Sequence, residues 1–248
     1  MGYFKIYNLS FTSPTMRAFN LEITAIMDPE VDVGWISRVT VILTHGRRLI
    51  GEKTLRDTYM IPDEWDRATI RLESFEIKNM TAFKGFFEKL MPKNDIIQEY
   101  RAEVALKAAL DDEENGHELS IAIDLSDVSK ISVSRLEYNR CDDRIRLSFS
   151  TWSWTPFDID FGCCQFVLEA DDGILAFLDG RFGMGRELYK VALEGIVDPA
   201  IDEASFDGVG TLTGFKTYEH NNSFLAHAIR LFRIEVDLAA LKGDLDED

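Results

Sequence analysis

Residues 79–108 read NMTAFKGFFEKLMPKNDIIQEYRAEVALKA, and residues 211–240 read TLTGFKTYEHNNSFLAHAIRLFRIEVDLAA. The two align without a gap at an offset of 132. Nine of 30 positions are identical: Thr81/Thr213, Phe83/Phe215, Lys84/Lys216, Ile97/Ile229, Arg101/Arg233, Glu103/Glu235, Val104/Val236, Leu106/Leu238 and Ala108/Ala240. Ordinary residue frequencies would give roughly two. Tyr100, Ala102, Val104 and Leu106 alternate with their neighbours as Phe232, Ile234, Val236 and Leu238 do. This period of two predicts a half-buried strand. Ahead of it, Phe83, Phe86, Phe87 and Leu90 share one helical face, and Pro92 closes that helix.

The front halves of the two copies match more loosely, at offsets of 126 to 127. Phe4, Ile6, Leu9 and Phe11 fall on Ile131, Val133, Leu136 and Tyr138, and Phe19, Leu21 and Ile23 fall on Ile145, Leu147 and Phe149. Val31-Asp32-Val33 falls on Phe157-Asp158-Ile159. His45-Gly46-Arg47 and Asp172-Gly173-Ile174 each separate two apolar runs, as hairpin turns do. The first copy reads as strands over 3–11, 17–28, 35–44, 48–55 and 69–78, a short helix, and a last strand over 97–107. The second keeps the plan. Its helix shifts to Phe224, Leu225, Ala228 and Ile229, and an extra helix is expected over 187–196 from Leu188, Val191, Ala192 and Ile196. The expected fold is mainly β: two tandem immunoglobulin-like β-sandwich modules, each with a short helix before its last strand. Module one spans 1–110, an acidic bridge and connecting strand 111–127, module two 128–241, and an acidic tail 242–248.

Hydrophobic residues make up 46% of the chain and aromatics 11%, enough for packed cores. No apolar run approaches the ~18 residues of a membrane span, and the first residues lack the pattern of a signal peptide. The cysteines, Cys141, Cys163 and Cys164, are odd in number and form no CxxC, so neither a disulfide framework nor a zinc site is expected. Reduced thiols fit a cytoplasmic location. Residues 1–110 carry 15 Lys+Arg against 15 Asp+Glu, whereas residues 111–248 carry 12 against 29. The acidic second half repels nucleic acid and anionic membranes and suits a basic partner.

No catalytic or cofactor motif is present: no GxSxG, P-loop or kinase signature, and no HxH or HExxH among His45, His117, His220 and His227. Catalytic residues stay unassigned, and no metal or cofactor is expected. The candidate ligand-binding residues are Trp35, Trp152, Trp154, Asp158 and Asp160. Trp152 and Trp154 are one residue apart, as are Asp158 and Asp160, so each pair shares one side of an extended strand. Exposed aromatics could stack on a flat ligand. The glycine-rich run Gly180-Arg181-Phe182-Gly183-Met184-Gly185-Arg186 reads as a flexible loop able to act as a lid, with GxGxxG incomplete at Leu188.

The run from Leu21 to Asp28-Pro29, then Val31-Asp32-Val33, then Val39 to Gly51 with Gly46 at its turn, resembles the late embryogenesis abundant type 2, or water-stress-and-hypersensitive-response, domain. Module two echoes it at Trp154-Thr155-Pro156, Phe157 to Gly162 and Asp172-Gly173. Asp28-Pro29 and Trp154-Thr155-Pro156 stand where that family has Asn-Pro. The resemblance implies an immunoglobulin-like β-sandwich with one helix and no defined active site. The first functional expectation is therefore a tandem binding or scaffold protein, stress-associated, holding a hydrophobic small molecule or a protein partner at the module interface. A second is a cofactor-independent cyclase or isomerase of a natural-product pathway, with an aromatic-lined pocket that works by shape.

Overall fold

The computed structural model describes residues 4–27, 34–63, 65–93, 105–113, 116–199 and 201–241, with the backbone alone at 4, 27, 105–113, 116, 203 and 204. The protein is mainly β. In chain order the described elements are β1 (Phe4–Thr12), β2 (Ala18–Met27), β3 (Gly34–His45), β4 (Arg48–Met60), β5 (Arg67–Glu76), α1 (Met80–Leu90), β6 (Ala105–Glu113) and β7 (Gly116–Asp124). They continue with β8 (Ser132–Cys141), β9 (Arg144–Trp152), β10 (Phe157–Ala170), β11 (Gly173–Gly185), β12 (Tyr189–Val197), β13 (Val209–Thr217), α2 (Leu225–Ala228) and β14 (Arg233–Asp237). No helix among the described residues is long and apolar enough to cross a membrane.

Two compact units result. The first draws its described residues from 1–89, 100–129 and 154–159, the second from 90–99, 130–153 and 160–248. In the first unit β2 lies between β1 and β5, antiparallel to both, and Ile23 faces Leu9 on one side and Ile70 on the other. All three are buried because each strand alternates apolar and polar residues, so one whole face turns inward. The free edge of β1 takes the start of β10 in parallel, pairing Leu9 with Phe157 and Phe11 with Ile159. A second sheet runs β4-β3-β7-β6. Its β3–β4 hairpin turns at Gly46 and Arg47, with φ of 57° and 62°. Positive φ at both central residues is the type I′ geometry, whose twist matches that of paired strands.

The helix α1 starts where the Asn79 carboxamide oxygen accepts from Ala82 N at 3.0 Å, a side-chain cap. Its buried face carries Phe83, Phe86, Phe87 and Leu90, the set expected from the spacing. The Phe83 ring stacks on Phe19 at 5.5 Å, and Phe86 meets Phe157 edge-on at 5.1 Å. The core of this unit is thus a cluster of phenylalanines supplied by β1, β2, β5, α1 and β10.

The second unit repeats the pairing order of the first at its start. β9 lies between β8 and β12 as β2 lies between β1 and β5, and β10–β11 is a long hairpin like β3–β4. The loose correspondence of Phe19, Leu21 and Ile23 with Ile145, Leu147 and Phe149 falls on β2 and β9, with all six side chains buried. β13 adds to β10, and β14 adds to β13. The helix α2 sits between them with Phe224, Leu225, Ala228 and Ile229 buried, again as the spacing predicts. Phe232 anchors this core, its ring 5.2 Å from both Phe166 and Phe182.

Four expectations are corrected. The alignment at an offset of 132 lays α1 over β13 and the turn after it. Phe83 is a buried helical residue, and its counterpart Phe215 is exposed on a strand. The reason is that Phe83 has Phe86 and Phe87 three and four residues on, whereas Phe215 has Tyr218 and Glu219. At these aligned positions only the first copy carries a helical apolar face. The extra helix over 187–196 is the strand β12, in which buried Val191, Leu193 and Val197 alternate with exposed Lys190, Ala192, Glu194 and Ile196. The glycine-rich run expected as a loop is the second half of β11. There Phe182, Gly183 and Met184 are buried, and a Cβ on Gly183 would lie 2.8 Å from the Tyr189 ring. The connecting strand expected after the bridge is β7, but the start of the bridge is itself strand. Residues 111–113, read as bridge, finish β6 and pair with 116–118 of β7. The strand expected over 97–107 lies mostly outside the described residues, as does Val31-Asp32-Val33.

Candidate functional site

Among the described residues, the outer face of the second unit's sheet carries a cluster of hydrogen-bonded polar side chains. Antiparallel sheets commonly bury one face and solvate the other, and the register shows what this one presents. Phe177 and Asp179 of β11 stand opposite Ile196 and Glu194 of β12, which stand opposite Arg144 and Arg146 of β9. On the far side of β10, β13 contributes Phe215, Lys216 and, just beyond its end, Tyr218.

These groups form three short networks. Asp160 accepts from the Arg181 guanidinium and, at 2.8 Å, from Gly162 N. Tyr189 shares a hydrogen bond with Arg181. Arg181 is held even more firmly protonated than usual, chiefly by the hydrogen bond to Asp160. Burial first, then the Asp160 charge, raises the Tyr189 phenol.

The second network joins Tyr218, Asp179 and Gln165. The Tyr218 hydroxyl donates to Asp179 Oδ1 at 2.6 Å, and Gln165 Nε2 donates to the same carboxylate oxygen at 3.1 Å and to the Tyr218 oxygen at 3.0 Å. The hydrogen bond to Asp179 pushes the phenol up to about 12 from 10.0. A raised folded value favours the protonated form in the folded chain. That contribution is complete below pH 10 and is lost as the pH climbs through about 12. In an ultraviolet titration of phenolate formation, Tyr218→Phe is expected to remove a late-titrating phenol. Asp179→Asn is expected to return that phenol toward the ordinary range. An unchanged titration curve in Asp179→Asn would contradict the hydrogen bond.

The third network surrounds Cys163, which is exposed. Its amide donates to Glu219 Oε1 at 3.3 Å, and the same carboxylate hydrogen-bonds its thiol and raises the thiol pKa. Gly162 holds φ of 68°, and a Cβ there would lie 2.5 Å from Glu219 Oε2, so the glycine leaves room for that carboxylate. Cys164 faces inward, and burial pushes its thiol up to about 12. A thiol reacts as its thiolate, so both positions are held in the unreactive form at neutral pH. Alkylation of Cys163 by iodoacetamide at pH 8, followed by peptide mapping, is expected to be faster in Glu219→Gln. Equal rates would show that the carboxylate does not hold the thiol.

The residues proposed from the sequence are dispersed. Trp35 lies on β3 opposite Tyr59 of β4, both exposed, in the first unit. Trp154 and Asp158 are exposed in that unit's 154–159 segment. Trp152, half-buried at the end of β9, and Asp160 belong to the second unit. Only Asp160 falls in the networks above. Among the described residues, no group of three or more His, Cys, Asp or Glu is placed to hold a metal ion. Arg181, Asp179, Tyr218, Gln165 and Glu219 went unmarked because they come from separate strands, and only the register brings them together. Phe177, Phe215 and Ile196 went unmarked because an exposed apolar residue looks like a core residue until its face is known.

The chain matches no family model, and no curated protein matches it.

Proposed function

We propose that this chain is a non-catalytic binding protein built from two immunoglobulin-like β-sandwich modules of the late embryogenesis abundant type 2 kind. The repeated pairing order, with β2 between β1 and β5 and β9 between β8 and β12, supports the tandem reading. The observation that carries the binding role is a row of exposed apolar side chains, Ile196, Phe177 and Phe215, on a face where Tyr218 pairs with Asp179 and Arg181 with Asp160. Acid–base catalysis needs a group whose pKa lies near the working pH. The shifted phenols and thiols of this face all move upward, away from neutrality. Apolar side chains gathered into one contiguous patch on a polar surface mark an interaction site.

The test is a titration of the full chain with Nile red, a neutral apolar dye. Emission is expected to rise on binding and to fall by roughly half or more in the double variant Phe177→Ser/Phe215→Ser, as loss of an exposed apolar patch requires. Equal emission from the folded variant would remove the reading.

A further inference from the structure

We infer that the Ile196–Phe177–Phe215 row docks a basic amphipathic segment of a partner protein. This rests on the binding role proposed above and names the partner's chemistry. Ile196 is 59% exposed, and Phe177 and Phe215 are each 43% exposed. Phe177 is directly opposite Ile196 on the neighbouring strand. The Phe177 and Phe215 rings come within 5.9 Å of each other although β10 runs between their strands. On β10, which runs between them, Phe166 and Leu168 are fully buried and Val167 is 6% exposed. The result is an apolar row, the ridge of this face, crossing β12, β11, β10 and β13. Three inter-strand gaps make it about 14 Å long.

The charges around the ridge select the occupant. At the hairpin end of β10 and β11 stand Glu169, Asp171 and Asp172, with no ion pair among the described residues. On the other flank Asp179 accepts from neutral donors, and Glu194 is paired with Arg146 at 3.4 Å. The cations beside the ridge are Arg144, opposite Ile196, together with Arg146, Lys216 and Arg230, whose Nε donates to Phe215 O at 3.1 Å. Carboxylates outnumber them here, as they do over residues 111–248. A second copy of a chain with net charge −17 would be repelled, and so would nucleic acid or an anionic membrane. A tightly held small molecule needs a concavity that encloses most of its surface, so three side chains in a row give an apolar dye only a weak, general foothold. A segment with apolar residues along one side and Lys or Arg flanking them meets both features. Its apolar side lies across the rings, and its cations reach the carboxylates of the hairpin end. A helix of about ten residues covers this length.

The experiment uses a fluorescein-labelled helical peptide of Leu and Lys with one apolar face, and a Leu and Glu peptide of the same pattern. Each is titrated with the full chain and followed by anisotropy at low and high salt. The Leu–Lys peptide is expected to bind and the Leu–Glu peptide not to bind. Phe177→Ser/Phe215→Ser should weaken the Leu–Lys affinity about tenfold or more, on the scale of lost central anchors. Glu169→Gln/Asp171→Asn/Asp172→Asn, which leaves the ridge intact, should weaken it about threefold and flatten its salt dependence. Trp65→Ser, an exposed aromatic change in the first unit, should leave it unchanged. Equal binding of both peptides, or an undiminished affinity in the phenylalanine variant, overturns the inference. If the dye test succeeds while the peptides fail in this way, the apolar face stands and only the basic partner falls.

Discussion

Phe86→Ala is expected to destabilise the first unit by about 3–5 kcal/mol, the range for deleting a fully buried aromatic ring. Phe86 is 0% exposed and has four phenylalanine rings around it. Phe87 lies at 4.9 Å, Phe157 at 5.1 Å, Phe83 at 6.1 Å and Phe11 at 6.2 Å. Rings anchored on β1, β10 and α1 cannot all move to fill the space, so the cavity persists and its cost adds to the lost transfer energy. Phe86→Leu keeps most of the volume and is expected to cost about 1–2 kcal/mol, because cores tolerate near-isosteric apolar exchange. Urea unfolding followed by circular dichroism measures both. A loss below about 1 kcal/mol in Phe86→Ala would mean that α1 does not pack into the cluster as described, since ring deletions in tight cores cost more than that.

Gly214→Ala is expected to destabilise the second unit by about 3 kcal/mol, at the upper end for overpacking. An added Cβ would lie 2.1 Å from Ile229 O and 2.9 Å from Ile229 Cγ1. A backbone carbonyl cannot turn aside as a flexible side chain can. The glycine is pinned from both directions: it pairs with Phe166 on β10, and its amide donates to Phe232 O at 3.1 Å. Relief of the clash must shift either β13 or the turn after α2, and that turn carries buried Ile229 and Phe232. A thermal midpoint lower by roughly 10 °C or more is expected for a domain of this size. Gly46→Ala serves as the comparison. Its added Cβ meets nothing within 4 Å, and only the positive φ of 57° opposes it. Its expected loss is about 1 kcal/mol, the usual penalty for a side chain in the left-handed region. If the two variants unfold at the same temperature, the close approach of Ile229 is wrong.

Much of the strand content was legible because alternation is a direct image of a sheet with one wet face. Phe19, Leu21, Ile23 and Ala25 announce β2, and Phe83, Phe86, Phe87 and Leu90 announce α1. The looser correspondence agrees with the strand plan at β2 and β9, and the residue identities mislead at Phe83 and Phe215. A shared letter constrains conformation weakly, and the neighbours three and four residues away decide it. β12 was read as a helix because Val191, Ala192 and Ile196 satisfy a helical spacing in a segment short enough to satisfy both periods. The candidate face was illegible for a different reason. Its networks join residues 160 with 181, 165 with 218, and 163 with 219, and a bulge between Gln165 and Phe166 alters the register beside them. No spacing rule in one dimension anticipates such meetings.

The segment 154–159 belongs to the first unit although the residues on both sides of it belong to the second. Buried Thr155 receives Ser129 N at 2.9 Å, and Phe157 lies in the phenylalanine cluster. On a ribosome, the amino-terminal half therefore emerges lacking part of its own interior and completes it only after residue 159 has left the exit tunnel. Folding of the first half waits on translation of the second, which departs from the usual order of one finished domain after another. Recombination at residue 110 or 128 would likewise hand on a first unit without its 154–159 segment.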